Sequence, residues 1–253
     1  YHKSAKGLAS NTLFSAMQET ASQASEGEEF SIEVDNLALK TRYYVRSYAV
    51  NSAGTAYGET VDFETLAEKA SILTVGSSDV TTTSAVLSGN ITADNGERIT
   101  ERGFVWMEGT GKPTTDSNKL KVNGTVGEFN ATLKGLSPNR KYSFCAYAVN
   151  AEGTSYGEVK TFTTAVALPV LSEVIVSSIT STSVKLSGIV ADHGGETVTE
   201  VGFYYSTEAD VNPETSKKVS QIYADDSFTI DVEELEIFTR YYVRAYAKNS
   251  AGI

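Results

Sequence analysis

The sequence of 253 residues has few of the residues that build disulfides, metal sites or catalytic clusters. Its one cysteine rules out an intramolecular disulfide. The two histidines, His2 and His193, have none of the Cys, His or carboxylate neighbours at the spacing that a zinc site requires. Asp225-Asp226 lacks the Asp-x-Asp pattern of a calcium loop, and no Gly-x-Ser-x-Gly motif occurs. We therefore expect no cofactor, no metal and no catalytic residues in this chain.

Long apolar runs and basic clusters are absent as well. No apolar run approaches the ~18–20 residues that a membrane-spanning helix needs. The formal net charge is −11 and no Lys/Arg cluster offsets it, so the chain repels phosphate backbones. The sequence therefore predicts no transmembrane segment and no nucleic-acid partner.

What the sequence does contain is a repeat. Three similar segments recur every 99 residues, namely YYVRSYAVNSAG (43–54), YSFCAYAVNAEG (142–153) and YYVRAYAKNSAG (241–252). A unit of this length is too long for a solenoid repeat and has the size of a β-sandwich domain. We divide the chain into a first repeat (1–66) that lacks its leading strands, a complete second repeat (67–166) and a third repeat (167–253) that lacks its last strand. The linkers between them are only a few residues long.

The remaining residues favour strands and turns throughout. In the second repeat the pattern predicts strands at 71–75, 84–91, 99–107, 119–122, 128–133, 142–149 and 159–164. Asp94-Asn95-Gly96 is a strong turn signal. In the first repeat Phe30, Ile32 and Val34 alternate as a strand, after a connection with a short helix at about 12–18. The predicted fold class is all-β.

Each repeated segment alternates with period two, which places one face of a strand in a core. A leucine stands six residues before the first tyrosine of each copy, at positions 37, 136 and 235. This spacing resembles the tyrosine corner of fibronectin type III and immunoglobulin-like sandwiches, in which the phenol OH bonds to upstream backbone. We expect Tyr43, Tyr142 and Tyr241 to have this structural role.

The opposite face of the same strand is the candidate ligand or partner surface. Aromatic and arginine side chains are enriched at binding surfaces and can stack on sugar rings. The residues predicted to face outward are Arg46, Tyr48, Tyr147, Arg244 and Tyr246. The alternatives are cross-strand pairing on a solvated sheet face and contact with the next domain. Cys145 takes the same outward position as the two arginines, so we expect an exposed or half-exposed thiol with no base nearby.

The blocks ERGF (101–104) and YAVNAEGTSYGE (147–158) carry a family resemblance. With the longer strings around them they resemble the fibronectin type III-like repeats of surface and secreted proteins of Bacteroidetes. The usual tryptophan of the second strand is absent, with Val86-Leu87 in its place. The resemblance covers the chain apart from residues 1–29 and implies tandem immunoglobulin-like or fibronectin type III-like β-sandwiches joined by short linkers.

The resemblance also implies a function and a location. We expect a non-catalytic structural or adhesive spacer that is extracellular or on a bacterial cell surface, either anchored to the outer membrane or secreted. Its partner would be a protein or glycan at that surface. The alternative is a carbohydrate- or ligand-binding module attached to a glycan-degrading protein. We further expect the incomplete first and third repeats to leave strand edges uncovered, to be closed by further residues or by association between chains.

Overall fold

The computed structural model describes residues 31–253, and their regular structure consists of strands alone. The all-β prediction is confirmed. The strand expected at Phe30–Val34 is wrong in the part that the structure describes, because Ile32 and Val34 lie in no strand and are exposed. Phe30 and the helix expected at 12–18 lie outside the described residues.

Residues 31–253 form sixteen strands. The first repeat contains β1 (Arg42–Asn51) and β2 (Gly54–Glu64). The second contains β3 (Ser71–Ser78), β4 (Ser84–Ala93), β5 (Glu101–Glu108), β6 (Asn118–Lys121), β7 (Gly127–Lys134), β8 (Lys141–Asn150), β9 (Gly153–Tyr156) and β10 (Lys160–Thr163). The third contains β11 (Val170–Ser177), β12 (Val184–Asp192), β13 (Glu200–Ser206), β14 (Lys217–Ile222), β15 (Ser227–Val232) and β16 (Tyr242–Lys248).

The second repeat is a two-layer antiparallel sandwich. One sheet has the order β3-β4-β7, and the other has the order β10-β8-β5-β6 with β9 also paired to β8. Strand β4 alternates between buried and half-buried residues because only one of its faces meets the core. The core between the sheets includes Leu87, Phe104 and Phe144, all fully buried. This arrangement places the repeated segment, on β8, in the middle of its sheet.

The third repeat has the same plan in two sheets, β11-β12-β15 and β14-β13-β16. The packing is repeated too: the rings of Phe104 and Phe129 lie 5.0 Å apart, and those of Phe203 and Phe228 lie 5.2 Å apart. In the part of the chain that the structure describes, β16 forms the edge of its sheet, whereas the matching β8 also pairs with β10. The first repeat is described as the hairpin β1–β2.

Candidate functional site

The first tyrosine of each repeated segment makes the same backbone contact. The phenol oxygen accepts a hydrogen bond from the amide five residues upstream, from Ala38 to Tyr43 (2.7 Å), from Ser137 to Tyr142 (3.0 Å) and from Glu236 to Tyr241 (3.1 Å). The contact ties the turn before the strand to the strand itself. All three tyrosines therefore have the geometry of a tyrosine corner.

Two of the corners are also contacted by a phenylalanine on the last strand of the repeat and by the threonine just after that strand. Phe162 stacks on Tyr142 with centroids 5.6 Å apart, and Phe63 stacks on Tyr43 at 5.8 Å. Two residues further on, Thr164 donates its hydroxyl to Ser137 O (2.6 Å). We call Phe63–Thr65 and Phe162–Thr164 the Phe-x-Thr segments.

The tyrosines predicted to face solvent are covered. Tyr48, Tyr147 and Tyr246 keep only 5%, 0% and 4% of their surface exposed, so the expected exposed aromatic surface is wrong at these positions. Tyr147 packs with Val105 and Cys145 in a second apolar cluster on the outer face of the sheet, and Val159 packs against it. Both faces of strand β8 are therefore buried.

Each covered tyrosine of the second and third repeats donates its hydroxyl to a carboxylate on the neighbouring strand. Tyr147 donates to Glu101 Oε1 over 2.7 Å, and Lys121 Nζ lies 2.5 Å from the other oxygen of Glu101. The hydrogen bond from Lys121 and then that from Tyr147 hold the pKa of the Glu101 carboxyl below its usual range. Burial, followed by the contact with Glu101, raises the pKa of Tyr147.

The third repeat has the same network. Tyr246 donates to Glu200, and Lys218 Nζ lies 2.6 Å from that carboxylate, which lowers the pKa of Glu200 through Lys218 first and Tyr246 second. These contacts satisfy the polar ends of buried side chains, so they stabilise the sheet. They leave the tyrosine rings covered rather than presented to a ligand.

Cys145 is buried, with 1% of its surface exposed, so the expectation of an exposed or half-exposed thiol is wrong. Its Sγ lies 3.8 Å from Pro113 O, which belongs to the loop before β6. Burial raises the pKa of the thiol to about 11, because the thiolate is penalised in an apolar environment. The thiol is therefore protonated near neutral pH.

The two arginines of the predicted surface lie in different sheets. Arg46, on β1, places its guanidinium 3.9 Å from the ring centroid of Tyr57, which is itself exposed. Arg244 is exposed on β16. Among residues 31–253, the structure thus leaves the half-buried Arg46 against the exposed ring of Tyr57 in place of the predicted five-residue surface.

A feature that the sequence analysis missed is the pair Asn150 and Asn249. Both side chains are buried, with 4% and 3% exposed. Asn150 Nδ2 donates to Glu68 O in the linker (2.8 Å) and to Asp94 O in the turn after β4 (3.1 Å). These two bonds fasten the linker to the second repeat.

Asn249 makes the corresponding bonds to Ala167 O (2.7 Å) and His193 O (3.0 Å). The linker is also held by the preceding repeat, since Ala165 O accepts the amide of Asn139 at 3.1 Å. Only one residue, Val166, lies between the two anchored positions. The signal was in the sequence, because this asparagine recurs in every copy of the repeated segment as residues 51, 150 and 249.

Neighbouring repeats also contact each other directly. Asn139, on the turn before β8, donates Nδ2 to Gly195 O of the third repeat over 2.9 Å. Lys40, 99 residues earlier, pairs with Glu97 of the second repeat at 3.4 Å. The receiving turn needs glycine, since a Cβ on Gly195 would lie 2.6 Å from Pro138 O. We call the contacts of Lys40 and Asn150 the first joint, between the first and second repeats. The contacts of Asn139 and Asn249 form the second joint, between the second and third repeats.

His193 lies beside the second joint and has polar partners that the sequence did not suggest. Its Nε2 is 2.7 Å from Asp226 Oδ1 and 2.8 Å from the hydroxyl of Tyr223. The hydrogen bond from Tyr223 and then that from His193 lower the pKa of Asp226, while Asp226 raises the pKa of Tyr223 to about 12.

Among residues 31–253 no group of three or more His, Cys, Asp or Glu is placed to hold a metal ion. The same residues include no helix long and apolar enough to cross a membrane.

The second repeat matches a known protein family. The family model of the Fibronectin type III domain matches residues 71–164. Among solved structures, the crystal structure of the chicken CNTN1 FN1-FN3 domains is similar, with 18% identity and a TM-score of 0.35, covering 99% of this chain and 85% of that one. No curated protein sequence matches the chain.

The second repeat is therefore a fibronectin type III-like β-sandwich, and the third repeat has the same two-sheet plan. Domains of this type generally serve as structural or adhesive spacers, and they are typically extracellular and non-catalytic. A fold of this kind hosts many functions, so the function must be argued from the residues themselves.

Proposed function

We propose that this chain is a non-catalytic extracellular spacer on a bacterial cell surface, in which repeats 1–66, 67–166 and 167–253 hold a fixed arrangement and mediate protein or surface contacts. The two joints are the observation that carries the proposal. The bacterial setting rests on the sequence resemblance of the ERGF and YAVNAEGTSYGE blocks. Protease treatment of intact cells tests this location, because a chain on the cell surface is accessible to the protease.

The joints support a spacer because they fix adjacent repeats to each other. Neighbouring domains move relative to each other by default unless their interface restrains them. Here the linker backbone is bonded on both sides, and the turn of one repeat bonds directly to the turn of the next. Between the first and second repeats the linker backbone is bonded on both sides as well, and the contact across the repeats is the ion pair of Lys40 and Glu97. A chain built from repeated stiff joints can set the distance between its two ends.

The test compares joint stiffness in matched variants. Replacing Asn150 and Asn249 together by alanine removes the side-chain hydrogen bonds that tie each linker to the repeat that follows it. We expect small-angle X-ray scattering of this variant to show a broader distribution of shapes than the parent, with an unchanged circular dichroism spectrum. The control is Asn130→Ala, an exposed asparagine on β7. An unchanged scattering profile for the double variant would exclude the joints as the stiffening elements.

The exposed ring of Tyr57, with Arg46 against it, supports a second candidate, a module that binds a surface glycan. An aromatic ring flanked by an arginine can stack against a sugar ring. A glycan array followed by calorimetry tests this. The candidate predicts binding that Tyr57→Ala abolishes and that Tyr156→Ala, at a similarly exposed tyrosine of the second repeat, leaves unchanged.

A further inference from the structure

The second repeat contains two Asn-Gly dipeptides, Asn95-Gly96 and Asn123-Gly124. Asparagine is one of the thermolabile residues of proteins, because its side-chain amide can be lost. The loss begins when the backbone nitrogen of the next residue attacks the side-chain carbonyl carbon, and glycine has no side chain to block that approach. The folded chain gives the two dipeptides opposite surroundings, and these indicate which asparagine is converted.

Asn95 is held by hydrogen bonds that oppose this reaction. Its Nδ2, the group that must leave, donates to Lys69 O over 2.7 Å and to Ser71 Oγ over 3.0 Å. The amide of Gly96, which must lose its proton, donates to the carboxylate of Asp94 over 3.3 Å. A negative charge beside that proton disfavours the anion that deprotonation creates. Asn95 is therefore protected while the chain is folded.

Asn123 lies in the loop between β6 and β7, is exposed, and has none of these restraints. Within residues 31–253, neither its side chain nor the amide of Gly124 has a hydrogen-bond partner. Gly124 is exposed as well. Both reacting groups of this dipeptide are therefore free and accessible to water.

The backbone carbonyl of Asn123 has a cationic partner. Arg102 donates Nη2 to Asn123 O over 2.9 Å and donates Nη1 to Thr125 O. Arg102 is only 8% exposed, and its guanidinium lies 4.7 Å from the ring centroid of Phe129. In the described part of the chain its Nε has no hydrogen-bond partner. The guanidinium charge is thus largely desolvated and is directed at the two loop carbonyls, where it acts more strongly than it would in water.

This carbonyl belongs to the same peptide group as the nitrogen that must react. When the amide of Gly124 loses its proton, the negative charge is shared with the carbonyl oxygen of Asn123, because the peptide group is a resonance system. A cation bonded to that oxygen stabilises the anion, as charged donors stabilise oxyanions in enzymes. Arg102 therefore promotes at Asn123 the step that Asp94 opposes at Asn95.

We propose that Asn123 is a site of self-modification, at which Gly124 N attacks Asn123 Cγ with the help of Arg102. The amide proton of Gly124 passes to water or hydroxide, a bond forms between Gly124 N and Asn123 Cγ, and the Cγ–Nδ2 bond breaks to release ammonia. Water then opens the resulting succinimide ring to aspartate or isoaspartate. Either product adds a negative charge to the loop that Arg102 holds.

The test incubates the folded 253-residue chain in mildly alkaline buffer and measures conversion by peptide mass spectrometry. Trypsin releases the two dipeptides on separate peptides, 70–98 and 122–134, and fragment ions place the change on one asparagine. We expect Asn123 to convert at least about tenfold faster than Asn95, since only its reacting groups are free and activated. In denaturant the two rates should become similar. Equal rates in the folded chain, or the same difference persisting in denaturant, would overturn the proposal.

Substitutions of Arg102 separate activation from simple exposure of the loop. Arg102→Val is the matched variant, because the third repeat has Val201 in the corresponding place of the same two-sheet plan. It removes the cation and frees the loop, so exposure alone would raise the rate at Asn123. We expect the rate to fall at least about tenfold instead, since the anion loses its charged donor.

Two further variants complete the test. Arg102→Lys keeps the charge and should retain more of the rate than Arg102→Val. Asn123→Gln should abolish the modification at position 123, because its longer side chain disfavours ring closure. Circular dichroism checks that each variant is folded. A rate at Asn123 that Arg102→Val leaves unchanged or raises would overturn the proposal.

Discussion

Asn139 donates a hydrogen bond from its side-chain amide to the carbonyl oxygen of Gly195, 2.9 Å away and 56 residues later in the chain. The two residues belong to different repeats. Gly195 accepts this contact with a backbone φ of +87°, which glycine adopts without strain. Close approach of the two turns therefore depends on the absence of a side chain at position 195.

Replacing Gly195 by alanine should loosen the joint between the second and third repeats. The added Cβ would lie 2.6 Å from Pro138 O, so the turns must separate. The matched control is Gly135→Ala, where φ is +76° and nothing lies within 4 Å of the added Cβ. We expect both variants to lose about 1 kcal/mol of stability through backbone strain. Only Gly195→Ala should broaden the small-angle scattering profile, and identical profiles would contradict the role of the turn.

Replacing Tyr142 or Tyr147 by phenylalanine should destabilise the second repeat to a similar extent. The first change leaves the amide of Ser137 without its acceptor, and the second leaves Glu101 Oε1 without its donor. Each should cost about 0.5–1.5 kcal/mol, the usual net contribution of a hydrogen bond, because Ser137 is exposed and the Glu101 side chain keeps 29% of its surface exposed, so water can reach both groups. Tyr156→Phe, at a tyrosine that is 41% exposed, should cost under about 0.5 kcal/mol. Denaturant midpoints measure all three, and a neutral Tyr147→Phe would show that its contact with Glu101 contributes nothing.

Stability should fall on acidification partly through Glu101. Because Lys121 and then Tyr147 lower the pKa of this carboxyl in the folded state, its contribution is present above its unfolded pKa of about 4.3. That contribution is lost as the pH falls through the folded pKa. Glu101→Gln should therefore be less stable than the parent near neutral pH and should lose less stability between about pH 5 and pH 3. Urea midpoints measured across this range test the sign, and parallel curves for the two proteins would disprove it.

Cys145 should resist thiol reagents while the chain is folded. The thiol is buried and its pKa is raised to about 11, so little thiolate is present at about pH 8. We expect Ellman's reagent to react only on the unfolding time scale in buffer and immediately in denaturant. Rapid reaction in buffer would mean that the cover formed by the loop at Pro113 opens easily.

Much of the architecture could be predicted from the sequence because its determinants are local. The alternation along 142–149 and the leucine six residues before Tyr142 specify a strand and its inner face within a few residues. The repeat then extends the same description to all three units. The strand at Phe30–Val34 was the exception in the described part, since an alternating pattern forms a strand only where a partner strand accepts its hydrogen bonds.

The outer face of the corner strand could not be predicted, because the groups that cover it come from elsewhere in the chain. Tyr147 has the alternation of a solvent-facing residue, but Val159 and the strand that carries Val105 enclose it. Tyr and Cys are compatible with either environment, so their identity did not decide between them.

The sequence by itself therefore determined the repeat, the all-β class and the inner face of each corner strand, because these follow from period and spacing along a few residues. Only the tertiary structure decided which tyrosines are covered and how neighbouring repeats are joined. Asn150 reaches Glu68 across 82 residues and Asp94 across 56, and contacts at such separations depend on the folded path of the backbone. Hydrogen bonding is short-ranged, so those contacts exist only once both sheets have formed and brought the linker against the turn.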